Sequence, residues 1–418
     1  MTEFTEEGVR AAVRAWLEAN WNPDLGLVEW RNRLIDSGWG VPHWPSAWYG
    51  QDMPSGLLPV VDAEFQRIGA VGVATAGIRR LAAATILEHG TDLQKEKFLR
   101  RSLTGEDTWC QLFSEPGSGS DVAGAVTRAD FKGNRWVTNG QKVWTSSAHH
   151  ADWGLLLART DWDVPKHKGL SYFILDMRQP AVEVRQIRQM NGHASFNQVF
   201  LTDAEIPPEH LVSEVGKGWA VTMTTLMHER RSADGLRNDS MGYDRPGRCY
   251  AEEREEIATV QEPYKWYPQR RGRVDLVMQR ARETGRLADP VVRQEIAKLM
   301  ILSKTAEWTA RRARVAQAAG KPPGPEGSLG KLVLSHVARA AARVHTQLSG
   351  ADALLTGEDS PMQGVIAEVL VSVPAISIAG GTDEIQRNII SERVLGMPKE
   401  PAGDAEKPFR DVPRNAVR

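Results

Sequence analysis

The hydrophobic period of this 418-residue chain changes twice, and that change limits the folds that it can adopt. Over residues 6–104 apolar side chains recur mostly at helical spacing, interrupted by a Trp- and Pro-rich segment over 39–59. Over residues 109–200 the apolar runs become short and alternate as strands do, and helical spacing returns from residue 219 onward. A block of strands between two helical blocks predicts an α+β protein of more than one domain.

The same changes of period predict the domain boundaries. We expect an N-terminal helical domain over residues 1–108, a central β domain over 109–217 and a C-terminal helical domain over 218–397. Residues 238–272 carry a charge run without a clean period, so we expect an irregular insertion there, either rich in helix or a mobile loop. Residues 398–418 are charged and contain proline, which predicts a disordered tail.

Turn signals, a capping signal and apolar stripes divide these blocks further. Gly133-Asn134 and Asn139-Gly140 are dipeptides that hairpins favour, so each predicts a tight turn. Thr91-Asp92 predicts a capped helix start. Further strands are predicted at 154–158, 171–175, 182–187 and 196–201. Helical stripes that are typical of a bundle core lie at 292–303, 332–344 and 365–373.

Charge and cysteine usage exclude several classes of protein. Lys and Arg number 52 against 53 Asp and Glu, so no net positive field is present to attract nucleic acid or an anionic membrane. Cys110 and Cys249 have no paired spacing, which argues against a disulfide scaffold or a zinc site and fits a reducing cytoplasm. The apolar run over 364–379 is too short to span a bilayer, and residues 1–10 do not form a signal peptide. We expect a soluble cytoplasmic protein without a bound metal.

Three short motifs indicate the chemistry. The first, over residues 114–121 (S-E-P-G-S-G-S-D), combines small residues, which let backbone N–H groups approach a ligand, with hydroxyls that can bond ring heteroatoms or phosphate oxygens. By itself such a segment is more often a plain loop. The second motif covers 142–146 (K-V-W-T-S), and the third covers 380–387 (G-G-T-D-E-I-Q-R) after an apolar helix.

In this order the three motifs resemble those of the acyl-CoA dehydrogenase family, and the resemblance extends over residues 60–235 and 290–397. It implies a helical N-terminal domain, a central β-barrel-like domain and a C-terminal four-helix bundle, with FAD as the cofactor. It also implies an acyl-CoA substrate, a role in fatty acid or lipid metabolism such as β-oxidation, and an electron-transferring flavoprotein as the electron acceptor. The expected assembly is a homo-oligomer (dimer or tetramer) or a heterotetramer with a similar subunit.

The resemblance assigns the cofactor contacts residue by residue. Ser114 and Ser146 are expected at the edge of the isoalloxazine, with Trp144 over one of its faces. Residues 346–350 resemble the segment that a neighbouring subunit contributes, and the third motif resembles the loop that meets the nucleotide portion. The expected cofactor-binding residues are Gln111, Phe113, Ser114, Ser120, Trp144, Ser146, Gln347, Gly350, Gly381, Thr382 and Glu384.

The position of the catalytic base sets this chain apart within the resemblance. Desaturation of a thioester needs a carboxylate close to the α carbon, in a dry pocket. Many family members place a Glu directly before the Gly-Thr of the third motif, but Gly380 stands there. A smaller group supplies the Glu from the first helix after the β domain, followed by Arg, and Glu229-Arg230 matches that place. The resemblance therefore implies Glu229 as the catalytic residue, and Ser120, Arg230 and Gly380 as substrate-binding residues.

The implied reaction is FAD-dependent α,β-dehydrogenation of an acyl-CoA, in which Glu229 takes the α proton and the flavin takes the β hydride. Two alternatives are a flavin oxidase or monooxygenase on the same fold, and a non-catalytic partner subunit of a heteromeric enzyme. The family's Arg-x-x-Phe stretch has no clean counterpart, with 270–274 and Arg293 as candidates. The acyl group, whether straight, branched, aromatic or sterol-derived, depends on side chains that converge only in three dimensions.

Overall fold

The computed structural model describes residues 4–74, 77–235, 243–318, 324, 326–401 and 403–413; the side chains of 230–235, 317, 318 and 326 lie outside that description. The chain forms two compact units. The first runs to Ile187, resumes over Ala194–Pro263, and takes in the described residues from Gly403 onward. The second consists of Arg188–His193 and the described part of Tyr264–Ala402.

Five helices open the first unit, and their ends follow from local sequence. Thr5 caps α1 by accepting a hydrogen bond from the Gly8 N–H. Thr91 and Gln94 form a reciprocal capping box at the start of α5, so the predicted capped start is confirmed. The helical prediction for this part of the chain is also confirmed. The helices are α1 (Glu6–Asn20), α2 (Leu27–Asp36), α3 (Leu58–Ile68), α4 (Arg79–His89) and α5 (Asp92–Thr104).

The central part of the first unit is one sheet with the strand order β6-β7-β3-β2-β4-β5-β8, to which β1 adds by parallel pairing with β4. Strand β4 is buried on both faces: Leu155 and Leu157 face a core shared with α4 and α5, while Leu156 and Ala158 face a second core. The strands are β1 (Trp109–Leu112), β2 (Arg128–Lys132), β3 (Arg135–Ser146), β4 (Trp153–Arg159), β5 (Leu170–Asp176), β6 (Val182–Ile187), β7 (Phe196–Ile206) and β8 (Leu211–Val212).

The two predicted turns have different outcomes. Gly133 and Asn134 form the hairpin between β2 and β3, with a φ of +65° at the glycine. The turn predicted at Asn139-Gly140 is wrong, because β3 continues through both residues. Gly140 lies at a register irregularity against β7, and a Cβ there would be 2.5 Å from Thr127 Oγ1. This glycine therefore permits close approach of two backbones, which is the other common reason for glycine in a strand.

Two helices complete the first unit, α6 (Gly218–Gly235) and α7 (Arg248–Gln261). The segment 238–272, expected to be an irregular insertion, is thus mostly helical where the structure describes it. The charge run over residues 252–256 explains why this segment shows no helical hydrophobic period. Glu256 on α7 reaches two arginines that are almost fully buried, Arg31 at 2.6 Å and Arg79 at 2.6 Å. A helix that docks through carboxylates shows little apolar periodicity.

We predict that Glu256→Gln destabilises the first unit by about 3–5 kcal/mol, because it leaves two buried guanidinium groups without their shared counter-charge. The measurement is the urea unfolding midpoint of the variant against wild type. Glu255→Gln is the matched control, since Glu255 is exposed on the same helix and its loss of charge should change stability by less than about 0.5 kcal/mol. Equal stability of the two variants would show that the arginines are neutralised elsewhere.

The second unit is helical, and the three stripes predicted from the sequence lie on α10, α11 and α12, as expected. Val277, Leu299 and Val344 are buried together in its main core. The described helices include none with a span long and apolar enough to cross a membrane. The helices are α8 (Tyr267–Arg270), α9 (Val274–Glu283), α10 (Pro290–Ala318), α11 (Glu326–Ser349), α12 (Val365–Ser372) and α13 (Asp383–Arg393).

The C-terminal segment differs from the sequence-based expectation. The tail from residue 398 was predicted to be disordered, but its described residues 403–413 belong to the first unit. Phe409 is 1% exposed, and the backbone N–H groups of Phe409 and Arg410 donate to Val164 O and Trp162 O at 2.9 and 3.0 Å. One aromatic anchor within a polar segment is enough to order it locally, which a compositional argument overlooks.

Candidate active site

The first two motifs are joined by a buried ion pair. Lys142 on β3 is fully buried, and its Nζ donates to Glu115 Oε1 at 2.7 Å, to Phe113 O at 3.1 Å and to Leu157 O at 2.8 Å. The backbone N–H of Val143 also donates to Ser114 O at 2.9 Å. The Gly- and Ser-rich motif is therefore held against the strand that carries the Trp motif.

Glu115 also determines the shape of the loop that follows it. Its carboxylate accepts the backbone N–H groups of Val126 at 2.7 Å and Thr127 at 2.9 Å, across eleven and twelve residues. Burial alone would raise the pKa of Glu115, but the Lys142 ammonium and these donors hold it below its usual value. The ionised carboxylate thus closes the 115–127 loop at both ends, leaving Ser120 exposed at its outer turn.

Trp144 has an unusual environment for a large apolar residue. Its φ is +61°, and it lies in a register irregularity between β3 and β7, which turns the indole outward until it is 58% exposed. The ring packs only edge-on against Phe196, at 5.8 Å between centroids. Thr145 beside it is buried, and its Oγ1 has no hydrogen-bond partner among the described residues. Ser114 and Ser146 are half-buried in the two motifs that the ion pair joins.

The proposed base lies on α6 and contacts β1, the strand that leads into the first motif. Glu229 is half-buried, and Gln111 Nε2 donates to its Oε2 at 3.3 Å. Gln111 is the half-buried residue of β1, the strand that leads into residues 114–121, whereas Phe113 next to the motif is buried. The side chain of Arg230 lies outside the described residues.

The third motif begins α13 in the second unit. Gly380 and Gly381 have φ of +68° and +84°, and Thr382 caps the helix by accepting the Ile385 N–H. Buried Asp383 pairs with Arg339 on α11 at 3.0 Å, while Glu384 is exposed.

Gln347 and Gly350, which were also predicted to bind the cofactor, do not lie beside the third motif. Gln347 and Gly350 are exposed at the C-terminal end of α11. Gln347 is eight residues beyond Arg339, which is about 12 Å along the helix axis. The contribution of residues 346–350 to a neighbouring subunit therefore stays a prediction. The candidates for the Arg-x-x-Phe stretch have local partners: Arg270 lies over the Tyr267 ring at 3.5 Å, and Arg273 pairs with Asp275 at 2.7 Å.

Glu115 and Lys142 belong to the first and second motifs, but the sequence did not predict a role for either residue. A signal for them was present, since Lys142 continues the inward-facing positions of Trp136 and Thr138 on β3. A lysine at an inward strand position requires a buried carboxylate. Within the described ranges, no group of His, Cys, Asp or Glu side chains has the arrangement of a metal site.

The first unit thus combines N-terminal helices with a sheet that carries two ligand-type motifs, and the second unit is helical and carries the third motif. The chain belongs to the acyl-CoA dehydrogenase family. The family's N-terminal, middle and C-terminal domain descriptions match residues 1–106, 110–204 and 271–395. The chain is accordingly an oxidoreductase that acts on acyl-CoA, and the cofactor of the family is FAD.

Three proteins illustrate the similarity. Acyl-CoA dehydrogenase FadE34 of Mycobacterium tuberculosis is 34% identical over 88% of this chain, which spans 46% of that protein's length. Acyl-CoA dehydrogenase IpdE1 of the same organism is 31% identical over 95% of this chain and 99% of its own length. The solved ChsE4-ChsE5 complex of M. tuberculosis has 22% identity and a TM-score of 0.60, covering 96% of this chain and 100% of that chain, and therefore supports the fold alone.

The residues of the first unit fit a flavin ring. An exposed indole held by a strand irregularity offers a flat apolar face, and the half-buried Ser114 and Ser146 offer hydroxyls on the two segments beside it. The neighbouring Thr145 hydroxyl is buried and has no hydrogen-bond partner among the described residues. When bound, FAD would supply the hydride acceptor, while these side chains would hold and orient its ring.

We predict that Lys142→Met destabilises the protein by about 3–5 kcal/mol and lowers the FAD content after purification, because it leaves the Glu115 carboxylate buried without a counter-charge. Thermal unfolding and the flavin-to-protein absorbance ratio measure the two effects. The double variant Lys142→Met/Glu115→Gln removes both charges and is expected to recover part of the stability. A single variant as stable as wild type would mean that the backbone donors alone satisfy Glu115.

Proposed function

We propose that the enzyme catalyses α,β-dehydrogenation of an acyl-CoA thioester, with Glu229 as the base that takes the α proton. The observation that carries the proposal is the hydrogen bond from Gln111 Nε2 to Glu229 Oε2, at 3.3 Å. It ties a half-buried carboxylate to the strand that leads into the 114–121 motif. A base must lie beside the ring that receives the hydride, since both hydrogens leave neighbouring carbons of one substrate.

The backbone at Gly380 supports the same assignment. Its φ of +68° lies in the left-handed region, where a glutamate would be strained. The position that provides the base in many relatives of this family is therefore built for glycine here. Glu229 offers a carboxylate on a regular helix, and one of its oxygens is already held by Gln111.

Each remaining residue has a passive role in the proposal. Trp144 provides a face for the ring, Ser114 and Ser146 donate to its edge, and Ser120 contacts the cofactor and the thioester arm. Gly381, Thr382 and Glu384 of one subunit, and Gln347 and Gly350 of another, hold the nucleotide portion. The bound FAD supplies the acceptor for the β hydrogen, and the protein supplies orientation and exclusion of water.

We predict that Glu229→Gln retains bound FAD but lowers the rate of flavin bleaching by acyl-CoA about 10²- to 10⁴-fold, because the amide cannot accept the α proton. Anaerobic stopped-flow absorbance with a panel of straight, branched and polycyclic acyl-CoA substrates measures the rate and also identifies the acyl group. Bleaching at the wild-type rate would overturn the assignment of the base.

The matched control is Glu88→Gln. Glu88 is a carboxylate of α4 that accepts a hydrogen bond from Thr224 on α6 and lies 3.6 Å from His228 Nε2. Its neutralisation removes a charge beside the same helix without changing Glu229. We expect bleaching within about twofold of wild type, so that a general loss of negative charge near α6 is separated from loss of the base.

We predict that Gln111→Leu lowers the first-order rate of flavin bleaching by acyl-CoA about tenfold, because the amide that orients the Glu229 carboxylate is lost. Anaerobic stopped-flow absorbance measures the rate. Gln141→Leu, which breaks the 2.9 Å bond to Gln198 within the sheet, is the matched control and should leave the rate unchanged. A wild-type rate in Gln111→Leu would show that this contact does not orient the base during the reaction.

The proposal includes an oligomer, a cytoplasmic location and reoxidation by an electron-transferring flavoprotein. Support for subunit contacts comes from α10, where Ile301, Trp308 and Val315 repeat every seven residues and so share one face. They are 67%, 63% and 61% exposed, an arrangement that a lone subunit rarely shows. We infer that a second copy or a similar subunit covers them.

A further inference from the structure

The C-terminal segment docks beside the loop of the first motif. Phe409 is 1% exposed, and its ring centroid lies 3.4 Å from the guanidinium carbon of Arg159 at the end of β4. The Trp162 ring is 5.6 Å from that of Phe409, and Arg410 forms an ion pair with Asp163. Together with the two backbone hydrogen bonds to Trp162 and Val164, these contacts form a specific binding site for the segment.

Arg159, which Phe409 covers, holds the loop. It is fully buried, and its guanidinium donates to Ala125 O at 3.0 Å, Ala123 O at 2.7 Å and Lys166 O at 3.0 Å. Ala123 and Ala125 lie in the short 3₁₀ turn directly after residues 114–121. Lys166 in turn bonds both carboxylate oxygens of Asp121 at 3.0 Å. One buried cation therefore fixes the far end of the motif loop.

The Phe409 ring protects this arrangement from water. A guanidinium stacked on an aromatic face has its flat surface covered while its N–H groups stay free to donate in plane. Without the ring, water could reach the guanidinium and compete for the carbonyl groups of the loop. The turn over residues 120–125 would then lose its contacts to Arg159, and only the hydrogen bonds of Glu115 to Val126 and Thr127 would close the loop.

Phe409 lies outside the ranges that the family's domain descriptions match. The C-terminal domain of the family matches this chain only to residue 395, and the middle domain matches residues 110–204. Residues 408–412 therefore lie beyond the part of the chain that the family describes, yet they pack on the domain that carries its first motif.

We propose that Phe409 and Arg159 are positioning residues that hold residues 120–125 in the conformation that binds the ligand. The C-terminal segment thereby contributes to the site. The proposal rests on the proposed contact of Ser120 with the cofactor and the thioester arm. Phe409→Ala should free the Arg159 guanidinium and allow the turn to open. The expected result is a rise in KM for acyl-CoA of about tenfold, with kcat within about twofold, since Glu229 is untouched.

The test is hydrogen–deuterium exchange of the FAD-loaded, full-length enzyme, read on peptides that cover residues 121–127. In Phe409→Ala we expect their exchange to be about tenfold faster than in wild type, and in Phe409→Leu, which keeps an apolar side chain in the binding site of the segment, about threefold faster. Phe131→Ala is the matched control, because Phe131 is 53% exposed on β2 of the same sheet. It should leave both the exchange and KM unchanged.

Faster exchange at residues 408–412 with unchanged exchange at 121–127 would overturn the proposal, because the tail would then be docked without holding the loop. Should Phe409→Ala fail to fold, the same comparison in Phe409→Leu decides between these outcomes. Faster exchange at 121–127 with an unchanged KM would overturn the ligand contact of Ser120. It would leave the assignment of Glu229 standing, because Glu229→Gln tests the base independently.

Discussion

The ion pair of Lys142 with Glu115 is the interaction on which the candidate site depends. Both groups are buried, and each has its remaining hydrogen-bonding capacity filled by backbone: carbonyl groups for the ammonium, N–H groups for the carboxylate. Such a pair contributes little net stability, yet breaking it is costly. Its main effect is geometric, because it fixes the Gly- and Ser-rich loop against the strand that presents Trp144.

Charged side chains of the first unit are used in the same manner elsewhere. Arg159 holds the far end of the motif loop, and Glu256 on α7 serves Arg31 and Arg79. In the first case a buried arginine binds loop carbonyl groups, and in the second an ion-pair network joins α7 to the N-terminal helices. The unit therefore relies on apolar packing for its sheet and on buried ions for its irregular segments. Contacts with buried charged groups therefore explain why α7 and residues 408–412 are ordered despite their polar sequences.

Two of these elements, α7 and the C-terminal segment, lie outside the ranges that the family's domain descriptions match. The three family domains cover the helical and sheet framework, whereas α7 and residues 408–412 fall between or after them. Both additions pack on the first unit, one against the N-terminal helices and the other behind the motif loop. Gly380 in the third motif has a left-handed backbone, and Glu229 on α6 accepts a hydrogen bond from Gln111; the proposed role of Glu229 as the base rests on these two observations.

The sequence alone determined the order of helical and strand blocks, the family and the three motifs, because periodicity and short motifs are local properties of the chain. Local pattern also predicted the hairpin at Gly133 but not the role of Gly140, which depends on the contact with Thr127, the residue directly before β2. Only the tertiary structure decided that Lys142 meets Glu115, that Gln111 meets Glu229 and that Phe409 covers Arg159. These partners are 27, 118 and 250 residues apart, and such contacts leave no trace in composition or period. A charged residue at a buried position indicates that a partner of opposite charge or a set of hydrogen-bonding groups lies nearby, but only the fold determines which residues these are.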